Sequence, residues 1–262
     1  MKITTLCISC IMLLACNDNM SGYSGYIKSD SISTGLIFYP KEEYSQENSM
    51  PKLYVYFETK KIYPCENFRI QTTTFKQNNE LIIRFEKIIE VNECLTALGP
   101  ATTKIEIPGN ITSIALINGK SVDKYLMNQT KEMVELTLDT QSFTMPAYYK
   151  VYRYTENSFA YVCGTNLDNT YIYNDFLKIL KDSLPLTELK FNNDGHIQYP
   201  LRSMGNYADF DAVYFHYTNR ADYDKAGDLL RNYTLKNKET LYGVSICLVN
   251  WQNKYFRSWM FN

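Results

Sequence analysis

Histidine is nearly missing from this chain: 2 in 262 residues. Neither charge is in surplus, with 27 Lys and Arg against 28 Asp and Glu for a net −1. The first scarcity leaves little room for imidazole metal sites or catalytic pairs. The second argues against nucleic acid as a main partner, because phosphate binding needs an excess of Lys and Arg. No Cys-x-x-Cys or Cys/His cluster is present, so structural zinc and thioredoxin-like redox chemistry are not expected. Glycine-rich phosphate loops are missing as well, since Gly22 and Gly25 stand where no strand-to-helix turn follows. After residue 15 no apolar run approaches the roughly 18 residues of a membrane helix. No metal and no cofactor is expected. What is present, 45% hydrophobic and 15% aromatic residues, excludes global disorder and suffices for one large domain or two small ones.

The N-terminus carries the sharpest signal. Met1-Lys2 gives a positive start, and residues 3–15 are almost unbroken apolar sequence, too short to span a bilayer and of secretory-signal length. The stretch ends in Leu13-Leu14-Ala15-Cys16, which resembles the lipobox of bacterial lipoproteins. The resemblance covers only these residues and identifies a processing class. It implies cleavage before Cys16, a diacylglyceryl thioether on the Cys16 sulfur, and usually an acyl chain on the new amine. Several acyl chains suffice for stable anchoring. Asn17 after the cysteine favours the outer membrane, with the mature protein facing the periplasm or the cell surface.

Seven cysteines then divide simply. Cys7 and Cys10 leave with the signal and Cys16 takes lipid, so Cys65, Cys94, Cys163 and Cys247 remain. An even number in an oxidising compartment suggests two disulfides. Three pairings are open. Cys65–Cys94 with Cys163–Cys247 is favoured, because each bridge then stays within one proposed domain.

The Asn/Ser/Gly-rich residues 16–32 read as a lipidated cysteine followed by a flexible tether. Residues 33–145 follow period two, as in Phe68, Ile70, Thr72 and Thr74, and in Ile105 and Ile107. The apolar run 53–57 suits a buried strand, 81–85 and 114–117 read as further strands, and Asn78-Asn79 and Asn118-Gly119 mark turns. An antiparallel β-sandwich is expected, the immunoglobulin-like arrangement among those that fit. After Pro146 the pattern changes. Residues 146–262 read β-α-β-β-β-α-β-β, a small α+β domain with two helices on an antiparallel sheet. Its first helix presents Tyr173, Leu177, Leu180 and Leu184 on one face, capped by Asp168 or Thr170. The second presents Tyr223, Ala226, Leu229, Leu230 and Tyr233, capped by Asp222. Hairpins are expected at Asp194-Gly195 and Gln252-Asn253.

Candidate chemistry is sparse. Gly243-Val244-Ser245 lacks the second glycine of a nucleophile elbow, so Ser245 reads as a packed strand serine. His216 alternates against Phe215 and Tyr217, and with Asp209 or Asp211 as orienter it has the parts of a general base. His196 reads as a solvated turn residue. The acidic pairs Asp209/Asp211 and Asp222/Asp224 lack the rest of a calcium loop. Tyrosine stands out, at 23 residues. Tyr148, Tyr149, Tyr152 and Tyr154 gather at the domain boundary, with Trp251, Tyr255 and Trp259 near the end. Rings with an apolar face and a polar tip suit recognition surfaces, so these seven are the candidate ligand-binding residues. The expectation is a lipid-anchored envelope protein without enzymatic activity that binds a glycan or protein or plays a structural role. The alternatives are a hydrolase built on His216 and an inhibitor or immunity-type lipoprotein.

Overall fold

A computed structural model describes residues 22–45, 50–91 and 97–261. The lipobox, Cys16 and Cys94 lie outside the described residues. Alternation becomes strand because period two sends successive side chains to opposite faces. In β1 (Leu36–Glu43), Leu36, Phe38, Pro40 and Glu42 are buried while the residues between them are not. There follow β2 (Lys52–Tyr63), β3 (Arg69–Gln77), β4 (Glu80–Ile89), β5 (Gly99–Glu106), β6 (Ser113–Asn118), β7 (Ser121–Gln129), β8 (Met133–Thr140), β9 (Thr144–Pro146) and β10 (Lys150–Tyr152). After them come β11 (Ser158–Thr165), α1 (Tyr171–Ser183), β12 (Leu186–Leu189), β13 (His196–Ile197), β14 (Ala208–Asp209) and β15 (Val213–Tyr217). The chain ends with α2 (Arg220–Lys236), β16 (Ser245–Asn250), β17 (Tyr255–Arg257) and a 3-10 turn at Ser258–Met260. Asn78 (φ 53°) and Gly119 (φ 61°) make the expected turns in the left-handed region that Asn and Gly tolerate.

The first sheet has 11 strands in the order β13-β10-β8-β7-β6-β4-β3-β5-β2-β1-β9. This corrects the expected antiparallel pattern. β4 and β6 run parallel, as do β1 with β9 and β10 with β13. Alternation decides which face a residue takes, not which strand lies beside it. The sheet is also curled on itself. Phe57 on β2 and Phe85 on β4 would stand about 14 Å apart in a flat sheet, three strand spacings away. Their ring centroids are 5.0 Å apart. Phe38 on β1 and Tyr125 on β7, about 29 Å apart if flat, meet at 4.9 Å. One core is therefore filled from both halves of one sheet.

A buried carboxylate closes the seam between β7 and the β8–β9 turn. Asp123, fully buried, accepts from the backbone N–H groups of Ser142 (2.6 Å), Phe143 (3.0 Å) and Thr144 (2.7 Å), and from the hydroxyls of Ser142 and Thr144. These donors would otherwise be orphaned at a turn.

β4 and β6 are apolar on both faces because both faces are covered. Leu81, Ile83 and Leu116 point into the core, while Ile82, Ala115 and Ile117 pack outward with Tyr23. The expected flexible tether is thus folded down from Tyr23 onward, where Tyr23, Tyr26 and Ile27 form a strap over the outside of the sheet.

The second sheet runs β12-β15-β11-β16-β17, with β14 beside β11, all pairs antiparallel. Both helices pack into one core with β11. In α1 Leu180 is buried, as is Leu184 just after it, both on the expected face, but in the first turns Ile172 and Phe176 are buried where Tyr173 and Leu177 were expected, and these two are only partly covered. Thr170 sits at the N-cap but makes no side-chain cap bond. In α2 the cap is Asn219, with Asp222 returning the bond as the third helical residue of a capping box. The expected hairpin at Asp194-Gly195 does not form. Instead β13 leaves the second sheet and pairs in parallel with β10 of the first. The Gln252-Asn253 hairpin does form, with Asn253 at φ 58°.

The Cys163–Cys247 bridge is overturned by register. Cys247 lies opposite Val162 and Cys163 opposite Ile246, so the two thiols point to opposite faces of the sheet, and both are free. Burial pushes the Cys163 thiol up to about 12 and raises Cys247 as well. Cys65 is buried and disulfide-bonded, while Cys94, its expected partner, lies outside the described residues.

Candidate binding surfaces

The seven aromatic residues singled out from sequence fall into four environments. Trp251 is 5% exposed and its indole N–H donates to the Tyr217 hydroxyl at 3.2 Å, which corrects its assignment to a ligand surface. Tyr255 and Trp259 flank Arg257, whose guanidinium lies 4.4 and 5.6 Å from their rings. Tyr152 donates to Asp194 at 2.5 Å, and Tyr154 donates to the Gln198 carbonyl while packing on Tyr199 at 4.8 Å. Burial, with Tyr255 and Glu42 near, pushes Tyr154 up to about 12. Those two tyrosines help join the two sheets. Tyr148 and Tyr149 remain exposed.

Tyr148 belongs to a longer ridge. Register puts Tyr39, Tyr56 and Lys104 side by side on the outside of β1, β2 and β5. Tyr39 and Tyr56 lie parallel at 5.5 Å, Tyr148 meets Tyr39 edge-on at 6.3 Å, and Tyr148 stacks on His196 at 4.0 Å. His196 is therefore not a solvated turn residue. Burial, with Lys41 near, holds its pKa below 6.5. The phenols are tied down: Tyr39 donates to Glu58 and Tyr56 to Glu43. Burial and Glu58 push Tyr39 up to about 12. The ring faces are largely spent, however. Lys41 sits 5.2 Å over Tyr56, and Lys104 4.9 Å over Tyr54. The ridge is rigid, but it is packed against itself.

A second surface was not singled out from sequence. At one end of the second sheet three loops meet, each pinned by an asparagine or serine. Asn166 donates to the Tyr242 carbonyl at 3.0 Å, Asn169 to that of Thr240 at 2.6 Å, and Asn206 to that of Gly243 at 3.2 Å. Ser203 and Ser245 both donate to the Asn206 side-chain oxygen. Gly164 beneath permits this, because a Cβ there would stand 2.3 Å from Asn206 Oδ1. These fixed loops hold large side chains out in solvent: Met204 85%, Tyr207 85%, Tyr242 86% and Leu167 70% exposed. No Lys or Arg stands in residues 164–170, 203–209 or 240–245. The available signal was a large apolar residue inside a turn-rich stretch, as in Asn166-Leu167-Asp168-Asn169 and Met204-Gly205-Asn206-Tyr207.

The His216 constellation is not assembled. Asp209 lies opposite Gly164 on β11 and His216 opposite Ser158, so six residues, roughly 20 Å of strand, separate them. Asp209 accepts from the N–H groups of Gly205 and Asn206, and Asp211 pairs with Arg202 at 3.3 Å. Ser245 is a packed strand serine bound to Asn206. Asp222 is taken up by its capping box and by Lys225, and Asp224 by Lys254. Among the described residues no three His, Cys, Asp or Glu side chains gather as a metal set. Compared with known proteins, the chain matches no protein-family model, no curated protein and no solved structure.

Proposed function

We propose that this chain is a lipid-anchored protein of the bacterial envelope, outer membrane favoured, that works without catalysis by holding a protein ligand at the loop tip of its second sheet. The observation that carries the reading is the set of Met204, Tyr207 and Tyr242, three side chains at least 85% exposed on loops locked together by Asn166, Asn169 and Asn206. Interface cores favour Tyr and Met and are poor in charge. Loops fixed beforehand spare the ordering cost of binding. The lipobox supports the anchor. A glycan ligand is less well served, because the Tyr39–Tyr56 ridge already covers its rings with Lys41, Lys104 and neighbouring aromatics. The large sheet is read as a sandwich variant in which one sheet doubles over to supply both layers.

The test is photo-crosslinking from position 207 in intact cells, compared with the triple variant Met204→Ser, Tyr207→Ser, Tyr242→Ser. A discrete crosslinked protein whose capture is lost in the triple variant, with melting unchanged, supports the proposal. Capture of nothing, or of the same proteins by the triple variant, refutes it. A single stoichiometric partner that is itself an enzyme would specify the inhibitor or immunity role.

A further inference from the structure

A cavity opens where the strap ends and the β8–β9 turn begins. It holds about 590 Å³, inside the roughly 300–1,000 Å³ of small-molecule sites. Its walls are residues 32–35, Lys60 at the end of β2, Asn118 of β6 and residues 141–145. Each wall is fastened. Ile32 and Asn118 exchange two hydrogen bonds, at 2.8 and 3.0 Å. The Thr34 hydroxyl accepts from the Lys61 N–H at 3.1 Å. Asp123 draws five bonds from Ser142, Phe143 and Thr144. Gly35 lets these walls meet, since a Cβ there would stand 3.2 Å from both Lys60 Cδ and the Phe143 carbonyl oxygen. Walls set in advance spare a ligand the cost of ordering them.

Three kinds of group line the space. Lys60 is its one charged side chain and makes no ion pair among the described residues. The second kind is neutral and polar: the Ser33 hydroxyl, and the side-chain oxygens of Gln141 and Ser142. Gln141 spends its amide N–H on the Thr144 carbonyl and Ser142 its hydroxyl proton on Asp123, so both oxygens keep lone pairs with which to accept. The third kind is apolar, the half-buried Phe143 and Met145, the latter 42% exposed.

This lining discriminates between ligand classes. A wholly apolar molecule would strand the polar groups without partners. A bare dianion would find a single cation to balance it, with the buried Asp123 carboxylate behind the turn opposing it. A hydroxylated ring bearing one carboxylate uses every group: its charge meets Lys60 and Ser33, its hydroxyls donate to Gln141 and Ser142, and its C–H face lies on Phe143 and Met145. We propose that this cavity is a binding site for a carboxylated sugar, held by Lys60, Ser33, Gln141 and Phe143. The site shares no residue with the loop tip of the second sheet and depends on neither the anchor nor the protein ligand.

The experiment uses the full chain with isotope-labelled methionine methyl groups, the Met145 signal being identified by its loss in Met145→Leu. Glucuronate, N-acetylneuraminate and N-acetylmuramate are titrated, with glucose and inorganic phosphate for comparison. The expected result is a saturable Met145 shift with at least one of the three acids, and binding of glucose and phosphate weaker by about tenfold or more, the worth of one charge-assisted hydrogen bond. Lys60→Gln, at an exposed position, should weaken the acid about tenfold with melting unchanged, and Lys60→Arg should restore most of the affinity. No Met145 shift with any of the three acids overturns the site. Glucose binding as tightly as the acid, or an acid indifferent to Lys60→Gln, overturns the role given to the carboxylate. Phosphate binding as tightly as the acid marks a plain anion site and overturns the sugar.

Discussion

Removing the Asp123 carboxylate should cost more stability than any single apolar truncation on the sheet surface. In Asp123→Ala, three backbone N–H groups, of Ser142, Phe143 and Thr144, lose their acceptor in a buried site. Each orphaned donor costs about 1–3 kcal/mol. Two effects temper the sum. The mutant no longer desolvates a carboxylate, and a polar cavity of about 590 Å³ lined by Ser142 and Thr144 lets water reach part of the turn. A net loss of about 3–5 kcal/mol follows, the range seen when one partner of a buried ionic cluster is removed. At about 2–4 °C per kcal/mol for a chain of this size, melting should fall by roughly 10 °C. Asp123→Asn keeps one acceptor oxygen and should lose about half as much free energy. Urea denaturation followed by circular dichroism gives the free energy, and hydrogen exchange at residues 142–144 locates it. An Asp123→Ala protein within about 0.5 kcal/mol of the parent, a change typical of ordinary surface sites, would refute the claim that this carboxylate closes the seam.

Other outcomes are as definite. Gly227→Ala gains about 1 kcal/mol of helix propensity, yet its Cβ would stand 2.6 Å from the Phe256 ring, and overpacking of about 1–3 kcal/mol should win; thermal melting decides the sign, and Phe256→Leu should relieve the loss. Gly164→Ala should push Asn206 out of its clamp, so that limited proteolysis cuts within residues 203–208 faster than in the parent. Burial opposes the Glu86 charge, but hydrogen bonds from Thr73, Lys28 and Arg84 outweigh it and hold the carboxyl at about 2 against 4.5. Its contribution is therefore full above about pH 4.5 and is lost as pH falls toward 2, so strap amides should exchange faster over that window and Glu86→Gln should flatten the response. Cys163 and Cys247, both raised by burial, should resist thiol reagents in the native protein and react once it is unfolded.

Strand positions were legible in the sequence because alternation is a local property. The continuous runs at 81–83 and 114–117 also carried more than was drawn from them. Both faces of those strands had to be covered, and the cover turned out to be the Tyr23–Ile27 segment, whose Asn/Ser/Gly-rich surroundings read as tether. Pairing was not legible. Nothing in Glu80 to Phe85 announces that it runs parallel to Ser113 to Asn118 after an excursion through β5. Leu180 and Leu184 of the α1 face were legible, but Tyr173 and Leu177 were taken for the adjacent Ile172 and Phe176, because large side chains fill both rows and only the sheet beneath decides which is buried. The loop tip was passed over for a different reason: its signal, a large side chain inside a turn-rich stretch such as Met204-Gly205-Asn206-Tyr207, is weak, and Tyr242 taken alone looks like any other core candidate.

The pairing of β13 with β10 has a bearing on how this protein is made. The outer edge of the first sheet waits for His196 and Ile197, which the ribosome delivers only after β11, α1 and β12. A chain emerging from the ribosome N-terminus first therefore carries its first sheet with an unpaired edge at β10 until much of the second has also come out, and open edges of that kind invite association. A cut near residue 155 would leave the same edge bare for good. The two sheets are consequently one unit of assembly, and a stall in synthesis between residues 155 and 195 would leave that edge open to proteases and to other copies of the chain.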